Sequence, residues 1–117
     1  MAEGILATLP LRLLINGEWR EAESGATFAV INPANATVLG YVPDAGVAET
    51  RAAIAAAVAA QPGWAATPAG ERAALLRRVA AMMLERQQEL ATIMTLEQGK
   101  PLAEARGEIA YAPSFLS

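Results

Sequence analysis

The spacing of apolar residues changes part-way along the chain and divides it into a strand-rich front and a helical back. Over residues 11–43, apolar and polar positions alternate in short runs, which is typical of strands. Asn16-Gly17 separates two of these runs and favours a hairpin, because both central positions of a type I′ turn require positive φ. Further strands are predicted over 27–31 and 38–42. The front of the chain is therefore predicted to form one small sheet of three short strands. The hairpin is counted as the first of them.

From residue 47 onward the apolar positions recur with a period of about 3.6, which predicts helices over 47–116. Pro62, between Gln61 and Gly63, predicts the end of the first helix. Thr67-Pro68 predicts a restart, with the threonine as N-cap and the proline at the first helical position. A capping box is not expected there, because Gly70 stands where it needs a glutamate. The polar stretch 85–89 predicts a kink or a short break.

The end of the helical region carries its own stop and start signals. Gly99 suits the position just after a helix, and Pro101 suits the start of the next one. The apolar face of that last helix is predicted to consist of Leu102, Ala105, Ile109, Ala112 and Leu116. The fold class is therefore α+β, with three or four helices after the strands. Because the helical faces have no evident second layer to close against, residues 1–117 are expected to form an incomplete domain.

Composition predicts a thin core. Hydrophobic residues make up 54% of the 117 residues, but aromatic residues only 5%, and 28 residues are alanine. Such a core buries little area per residue, so marginal stability is expected for the isolated chain. Trp19 and Trp64 are expected to anchor packing beside turns, and Met82, Met83 and Met94 to pack in the core.

Composition also excludes several kinds of site. The sequence contains no cysteine and no histidine, which removes thiolate nucleophiles, disulfides, imidazole proton transfer and the metal sites that use these ligands. It has no glycine-rich phosphate loop. A net charge of −3 argues against nucleic acid as a partner. The start of the chain does not resemble a targeting signal, and the longest apolar run, residues 52–60, is too short to cross a membrane. The expected location is cytoplasmic.

Two short polar arrangements are candidate sites with simpler structural explanations. In Glu97-Gln98-Gly99-Lys100-Pro101, the lysine could bind an anion at a helix N-terminus, but a helix end followed by a restart explains the same residues. Glu104 and Glu108 could be read as an acid pair. They lie one turn apart on the same helix face, where a solvated surface is the better explanation. The residues by themselves therefore predict no active site.

Several strings of this sequence resemble the aldehyde dehydrogenase superfamily. They are Ile15-Asn16-Gly17-Glu18-Trp19, Asn32-Pro33-Ala34, Val38-Leu39-Gly40, and Trp64 followed by Glu71-Arg72-Ala73. The string from Met94 to Ala105, with Gly107-Glu108-Ile109 and Tyr111, is most similar to the NAD(P)-dependent succinate-semialdehyde dehydrogenases. The resemblance runs from about residue 13 to about residue 115 and concerns only the N-terminal part of the family's cofactor-binding region.

The resemblance implies a mechanism for a complete enzyme, in which a cysteine thiolate attacks the aldehyde, hydride passes to NAD or NADP, and a glutamate activates water. It places none of these roles on this chain. Hence no catalytic, cofactor-binding or metal-binding residue is assigned, and no cofactor is expected to bind the chain alone. The expected partner is the remainder of the dehydrogenase or a full-length relative, with oligomers expected only for the full-length enzyme.

One weaker implication concerns a monovalent cation that some family members bind. The matching positions here would be the backbone of Val30 and Ile31 and the carboxylate of Glu97, although a helix C-terminus explains Glu97 more simply.

Two departures from the family pattern also stand out. Ala36 occupies a turn position where the family often has glycine, and Pro113 falls inside the predicted last helix. Together with the end at Ser117, Pro113 suggests a truncated or degraded reading frame, or an incompletely determined sequence.

Three functional hypotheses follow. The first is a fragment of a succinate-semialdehyde dehydrogenase that is inactive by itself. The second is a non-catalytic interaction module that docks on a full-length dehydrogenase through its uncovered apolar helix faces. The third is a stand-alone helical domain with an unrelated role, which would unfold cooperatively without a partner.

Overall fold

The computed structural model of the chain describes residues 2–117, in which a short helix precedes four strands and a run of helices follows them. Met1, part of the apolar start considered above, lies outside the described residues. The strands are β1 (Leu13–Ile15), β2 (Glu18–Arg20), β3 (Thr27–Ile31) and β4 (Val38–Pro43). The helices are α1 (Ala2–Leu6), α2 (Val47–Ala66), α3 (Ala69–Glu85), α4 (Gln87–Gln98) and α5 (Leu102–Tyr111), and a 3₁₀ turn follows at Ala112–Phe115. The α+β class is confirmed.

The hairpin predicted at Asn16-Gly17 is confirmed. Strands β1 and β2 pair antiparallel, with Leu14 opposite Trp19, and the two turn residues have φ of 53° and 77°. Asparagine and glycine tolerate positive φ better than other residues do, so this dipeptide sets the register of the hairpin.

The single small sheet predicted for the front is wrong, because the described strands form two separate antiparallel pairs. Strand β3 pairs with β4, with Phe28 opposite Val42 and an irregularity between Val30 and Ile31. The loop after β2 does not continue into a shared ladder. Instead the backbone amide of Glu23 donates to the carboxylate of Glu49 in α2, which holds the loop against that helix.

Helix α2 does not end at Pro62, contrary to the prediction, but continues to Ala66. Proline removes the hydrogen bond to the carbonyl four residues earlier, that of Val58. Val58 is 67% exposed, so the lost bond lies on a solvent-facing part of the helix, where a proline is better tolerated than in a packed interior.

The helix restart uses different residues from those predicted. Pro68, not Thr67, is the N-cap of α3, and its side chain has no polar atom that could form a capping bond. The Thr67 hydroxyl instead donates to the carbonyl of Gly63, a 2.9 Å bond that satisfies the end of α2. The break predicted over 85–89 is confirmed, because Arg86 separates α3 from α4 with φ of −100° and ψ of 18°.

The signals around Gly99 are confirmed, but the last helix is shorter than predicted. Gly99 ends α4 in the left-handed conformation, and Pro101 precedes α5. Because α5 ends at Tyr111, Pro113 lies in the first turn of the 3₁₀ segment, where a missing N–H costs little. Ala112 and Leu116 therefore lie outside the helix whose face they were predicted to extend. Pro113 is buried and is no sign of a damaged helix.

The core is as thin as the composition predicts. Ala91, Ala105 and Ile109 form its centre between α4 and α5, and Leu90, Met94 and Leu102 pack against it. The radius of gyration is 16.8 Å, whereas a compact domain of this length has about 13 Å. The chain is thus more open than an ordinary single domain.

Several residues predicted to be packing anchors are not buried in this chain. Trp19 is 50% exposed, Trp64 41% and Met82 48%, which contradicts the interior position expected for them. Only Met94 packs against the described core, and Met83 is half-buried. Periodicity located these side chains on apolar faces, but it could not show that nothing in this chain covers those faces.

Candidate functional site

The junction between α4 and the β3–β4 turn brings together most of the residues singled out from the sequence. At the end of α4, Gly99 has φ of 86°, and a Cβ added there would lie 2.8 Å from Cγ of Pro33. The turn itself is held by Asn32, whose buried side-chain oxygen accepts a 2.9 Å bond from the amide of Ala34. The end of the helix is thus fixed directly against the turn that links the two strands.

A pocket lies beside this junction, between the N-terminal segment, the β3–β4 pair and α4. Its lining is apolar or glycine except for one carboxylate, and it comprises Leu6, Leu9, Leu11, Val30, Leu39, Gly40, Val42, Ile93 and Glu97. Gly40 lies against the end of the Leu11 side chain, since a Cβ added there would lie 2.7 Å from Cδ1 of Leu11. Sequence reasoning missed the part played by α1 and the segment after it, although the spacing of Ile5, Leu6 and Leu9 is compatible with one apolar helical face.

The pocket brings together two of the three positions that the family resemblance suggested for a cation. Val30 and Glu97 line it, whereas Ile31 does not. One carboxylate among apolar side chains is a poor cation site, because hard cations need several oxygen ligands. Among the residues that the structure describes, no group of three acidic, histidine or cysteine side chains could hold a metal. A cation here would therefore need backbone carbonyl ligands, such as those of Val30 and Ile31, and the site stays a prediction.

Lys100 is engaged by a carboxylate of its own chain. Its ammonium forms an ion pair with Glu108 one helix further on, and its side chain is only 17% exposed. Glu104, one turn before Glu108, is exposed. The ammonium of Lys100 is thus paired within the chain, and Gly99 and Pro101 form the helix end and restart predicted for this string.

The carboxylate of the buried residue Glu49 is held by backbone amides, a role that sequence reasoning missed. It accepts hydrogen bonds from the backbone amides of Glu23, at 2.6 Å, and of Gly46, at 2.7 Å. These two bonds lower the pKa of Glu49 below its usual value. The bond from Gly46 is one half of a capping box. A glutamate three residues after a glycine was the sequence signal for the capping contact with Gly46. The contact with Glu23, in contrast, could not be predicted from the sequence.

Arg86 and Glu89 form an ion pair at the break between α3 and α4. Two hydrogen bonds, of 2.9 and 2.7 Å, join the guanidinium to the carboxylate. The pairing raises the pKa of Arg86 and lowers the pKa of Glu89. Arg86 is exposed and Glu89 is half-buried, and their pairing joins the residue at the helix break to the first turn of α4.

Many large apolar side chains of the described residues are exposed. Residues with large side chains on three helices are exposed, including Val47, Ile54 and Val58 on α2 and Leu75, Val79 and Met82 on α3. On the 3₁₀ segment, Phe115 is 72% exposed and packs edge-to-face on Tyr111, with ring centroids 4.9 Å apart. Large uncovered apolar faces are typical of surfaces that contact another protein segment. No helix of the described residues is long and apolar enough to cross a membrane.

Comparison with known proteins decides the family. The sequence pattern of the aldehyde dehydrogenase family matches residues 19–117. The chain belongs to the aldehyde dehydrogenase family. This agrees with the strings around Trp19, Asn32 and Glu97 that first suggested it.

Among curated relatives, this aldehyde dehydrogenase chain is similar to two semialdehyde dehydrogenases of bacteria. It is 59% identical over 102 residues to glutarate-semialdehyde dehydrogenase of Pseudomonas putida, covering 87% of this chain and 21% of that protein. It is 58% identical over 103 residues to the NADP(+)-dependent succinate-semialdehyde dehydrogenase of Escherichia coli, covering 88% of this chain and 21% of that protein. The chain thus spans about one fifth of the length of these relatives.

The fold of the aldehyde dehydrogenase chain is also found in solved structures. A crystal structure of an NADP-dependent enzyme of Escherichia coli superposes with a TM-score of 0.89 at 57% identity. The match covers 91% of this chain and 22% of that one. The two strand pairs and the following helices are therefore a recognised part of a larger enzyme fold.

Proposed function

We propose that this chain is the N-terminal structural part of an NAD(P)-dependent semialdehyde dehydrogenase that oxidises succinate or glutarate semialdehyde to the dicarboxylic acid. The observation that carries the proposal is the identity of 58–59% to two such enzymes. The choice between the two substrates and between NAD and NADP rests on those relatives alone.

In this proposal the chain supplies scaffold and no chemistry. The sequence has no cysteine to form a thiolate nucleophile, and none of its residues is proposed to bind cofactor, metal or substrate. When bound to the complete enzyme, the nicotinamide cofactor accepts hydride from the substrate. The contribution of this chain is to position α4 and the β3–β4 turn through the contact between Gly99 and Pro33.

A chimera tests the proposal. The matching segment of the Escherichia coli relative is replaced by this chain, and oxidation of succinate semialdehyde with NADP is measured beside the unmodified enzyme. We expect the chimera to retain activity, because the segment is scaffold. A chimera that is expressed, soluble and oligomeric but inactive would contradict the proposal. The isolated chain is expected to show no turnover above a control without protein.

A second candidate function is a binding module that docks on a full-length dehydrogenase, with which the exposed apolar faces are consistent. It is tested by pull-down with the purified Escherichia coli relative. Ile54→Glu should weaken capture, whereas Arg51→Glu, a polar residue on the same helix, should not. Equal capture of both variants, or capture of neither the parent chain nor the variants, would exclude specific docking.

A cytoplasmic location stays a prediction that cell fractionation tests.

A further inference from the structure

Asn16 lies in the tight turn between β1 and β2, where it is followed by a glycine. Both residues are exposed, and nothing lies within 4 Å of the position where Gly17 would carry a Cβ. Among the residues that the structure describes, the side chain of Asn16 makes no hydrogen bond, and the amide of Gly17 donates none. An exposed carboxamide thus stands next to an unhindered and unbonded peptide nitrogen.

The sequence has two other asparagines, and the structure blocks both. Asn32 is buried, its side-chain oxygen is bonded to the amide of Ala34, and the following residue is Pro33, which has no N–H. The peptide nitrogen after Asn32 therefore cannot attack the side-chain carbonyl carbon of Asn32. That nitrogen carries no hydrogen, and the side chain is buried.

Asn35 is blocked by different contacts. Its side-chain oxygen accepts bonds from the amide of Thr37, at 3.1 Å, and from the hydroxyl of Thr37, at 2.7 Å. The amide of the following residue, Ala36, donates a 2.8 Å bond to the carbonyl of Asn32. The peptide nitrogen of Ala36, which would have to attack the side chain of Asn35, is therefore already hydrogen-bonded. It also belongs to an alanine, whose methyl group hinders the approach, rather than to a glycine.

From this contrast we propose that Asn16 is a site of spontaneous deamidation in the folded protein, and that Asn32 and Asn35 are not. The peptide nitrogen of Gly17 attacks Cγ of Asn16, a new C–N bond forms, and the side-chain Cγ–N bond breaks. The side-chain nitrogen leaves as ammonia with the proton that Gly17 loses. Water then opens the cyclic imide at either carbonyl and leaves aspartate or isoaspartate at position 16.

The two products differ in their effect on the hairpin. Aspartate keeps the normal backbone and tolerates positive φ, so the pairing of Leu14 with Trp19 should survive. Isoaspartate adds a methylene to the main chain of a two-residue turn that fixes both φ values. Either product also places a negative charge at one end of a groove that is lined by Ala53 and Ala57 of α2.

The test is peptide mapping by mass spectrometry of the full chain, after incubation for several weeks at neutral pH and body temperature. We expect the peptide with Asn16 to gain the mass difference between water and ammonia, mostly as isoaspartate, while the peptides with Asn32 and Asn35 stay unchanged. A sample kept unfolded in urea is the positive control, because there Asn35 loses its protection.

Two variants make the result specific. Asn16→Gly keeps a turn that needs positive φ and should abolish the acidic product, whereas Asn35→Ser should leave the amount formed unchanged. If Asn16 stays intact in the folded chain but reacts in urea, the turn geometry forbids the attack and the proposal is wrong. Equal reaction at Asn16 and Asn35 in the folded chain overturns it as well.

Discussion

Gly99 at the end of α4 and Pro33 in the β3–β4 turn lie so close together that a methyl group on Gly99 would come within 2.8 Å of the proline ring. The same glycine has φ of 86°, a conformation that costs side-chain-bearing residues about 1–2 kcal/mol. Two independent constraints, one local and one tertiary, therefore act on one residue. This contact joins the strand-rich front to the helical back.

Gly99→Ala is expected to lower the free energy of unfolding by roughly 2 kcal/mol or more, because positive φ and the contact with Pro33 both oppose the new methyl group. Urea denaturation followed by circular dichroism measures the change. Gly107→Ala is the matched control. Gly107 lies within α5 with open space around it, so that substitution should stabilise the chain by up to about 1 kcal/mol. Equal effects of both substitutions would show that the contact is unimportant.

Ala36→Gly is expected to stabilise the protein. Ala36 has φ of 61°, where alanine is strained and glycine is not. Relief of the strain should raise the free energy of unfolding by about 1 kcal/mol, less the entropy that a glycine gains in the unfolded chain. Ala34→Gly, in the same turn but without positive φ, should instead destabilise by a few tenths of a kcal/mol. A loss of stability in both variants would mean that the turn relaxes around Ala36.

Glu49→Gln is expected to destabilise the chain at neutral pH and to change the dependence of stability on pH. The backbone amides of Glu23 and Gly46 lower the pKa of Glu49 below its usual 4.5 in the folded protein. The unfolded chain therefore takes up the proton at higher pH than the folded chain does. The stability supplied by the ionised carboxylate is fully present above that usual pKa and is lost as the pH falls through the lower, folded value.

Thermal unfolding across acid and neutral pH tests this expectation. The parent chain and Glu49→Gln should differ most at neutral pH and converge at the acid end. Glu104→Gln, on the exposed side of α5, should differ from the parent chain at neutral pH far less than Glu49→Gln does. A constant difference between Glu49→Gln and the parent would mean that ionisation of Glu49 plays no part.

Ile109→Ala is expected to cost about 2–5 kcal/mol, since it opens a cavity in the small core that Ile109 shares with Ala91 and Ala105. Ile54→Ala removes the same atoms from an exposed face of α2 and should change stability by less than about 0.5 kcal/mol. Denaturation midpoints of the two variants compare them directly. A large effect of Ile54→Ala would show that its face is covered, for example by a second copy of the chain.

Local chemistry made several elements predictable. Asn16-Gly17 specified the hairpin, because few other dipeptides accept positive φ at both positions. Gly99 and Pro101 marked a helix end and a start for similar reasons. In contrast, Pro62 was misread as a stop, because the cost of a lost hydrogen bond depends on whether water reaches the freed carbonyl. The roles of Thr67 and Pro113 were predicted wrongly for a related reason. Each role depends on where the neighbouring helix ends, because the end decides which backbone carbonyls need a donor.

The sequence by itself determined the family, the α+β class, the thin alanine-rich core and the absence of a cysteine nucleophile, since each depends on residue types and their order. Only the tertiary structure decided that the four strands form two separate pairs, that Glu49 ties the loop after β2 to α2, and that Val30 and Glu97 line one pocket. It also decided that Trp19 and Trp64 stay half exposed. These features depend on contacts between residues distant in the chain, and periodicity and propensity, which are local, carry no information about such contacts.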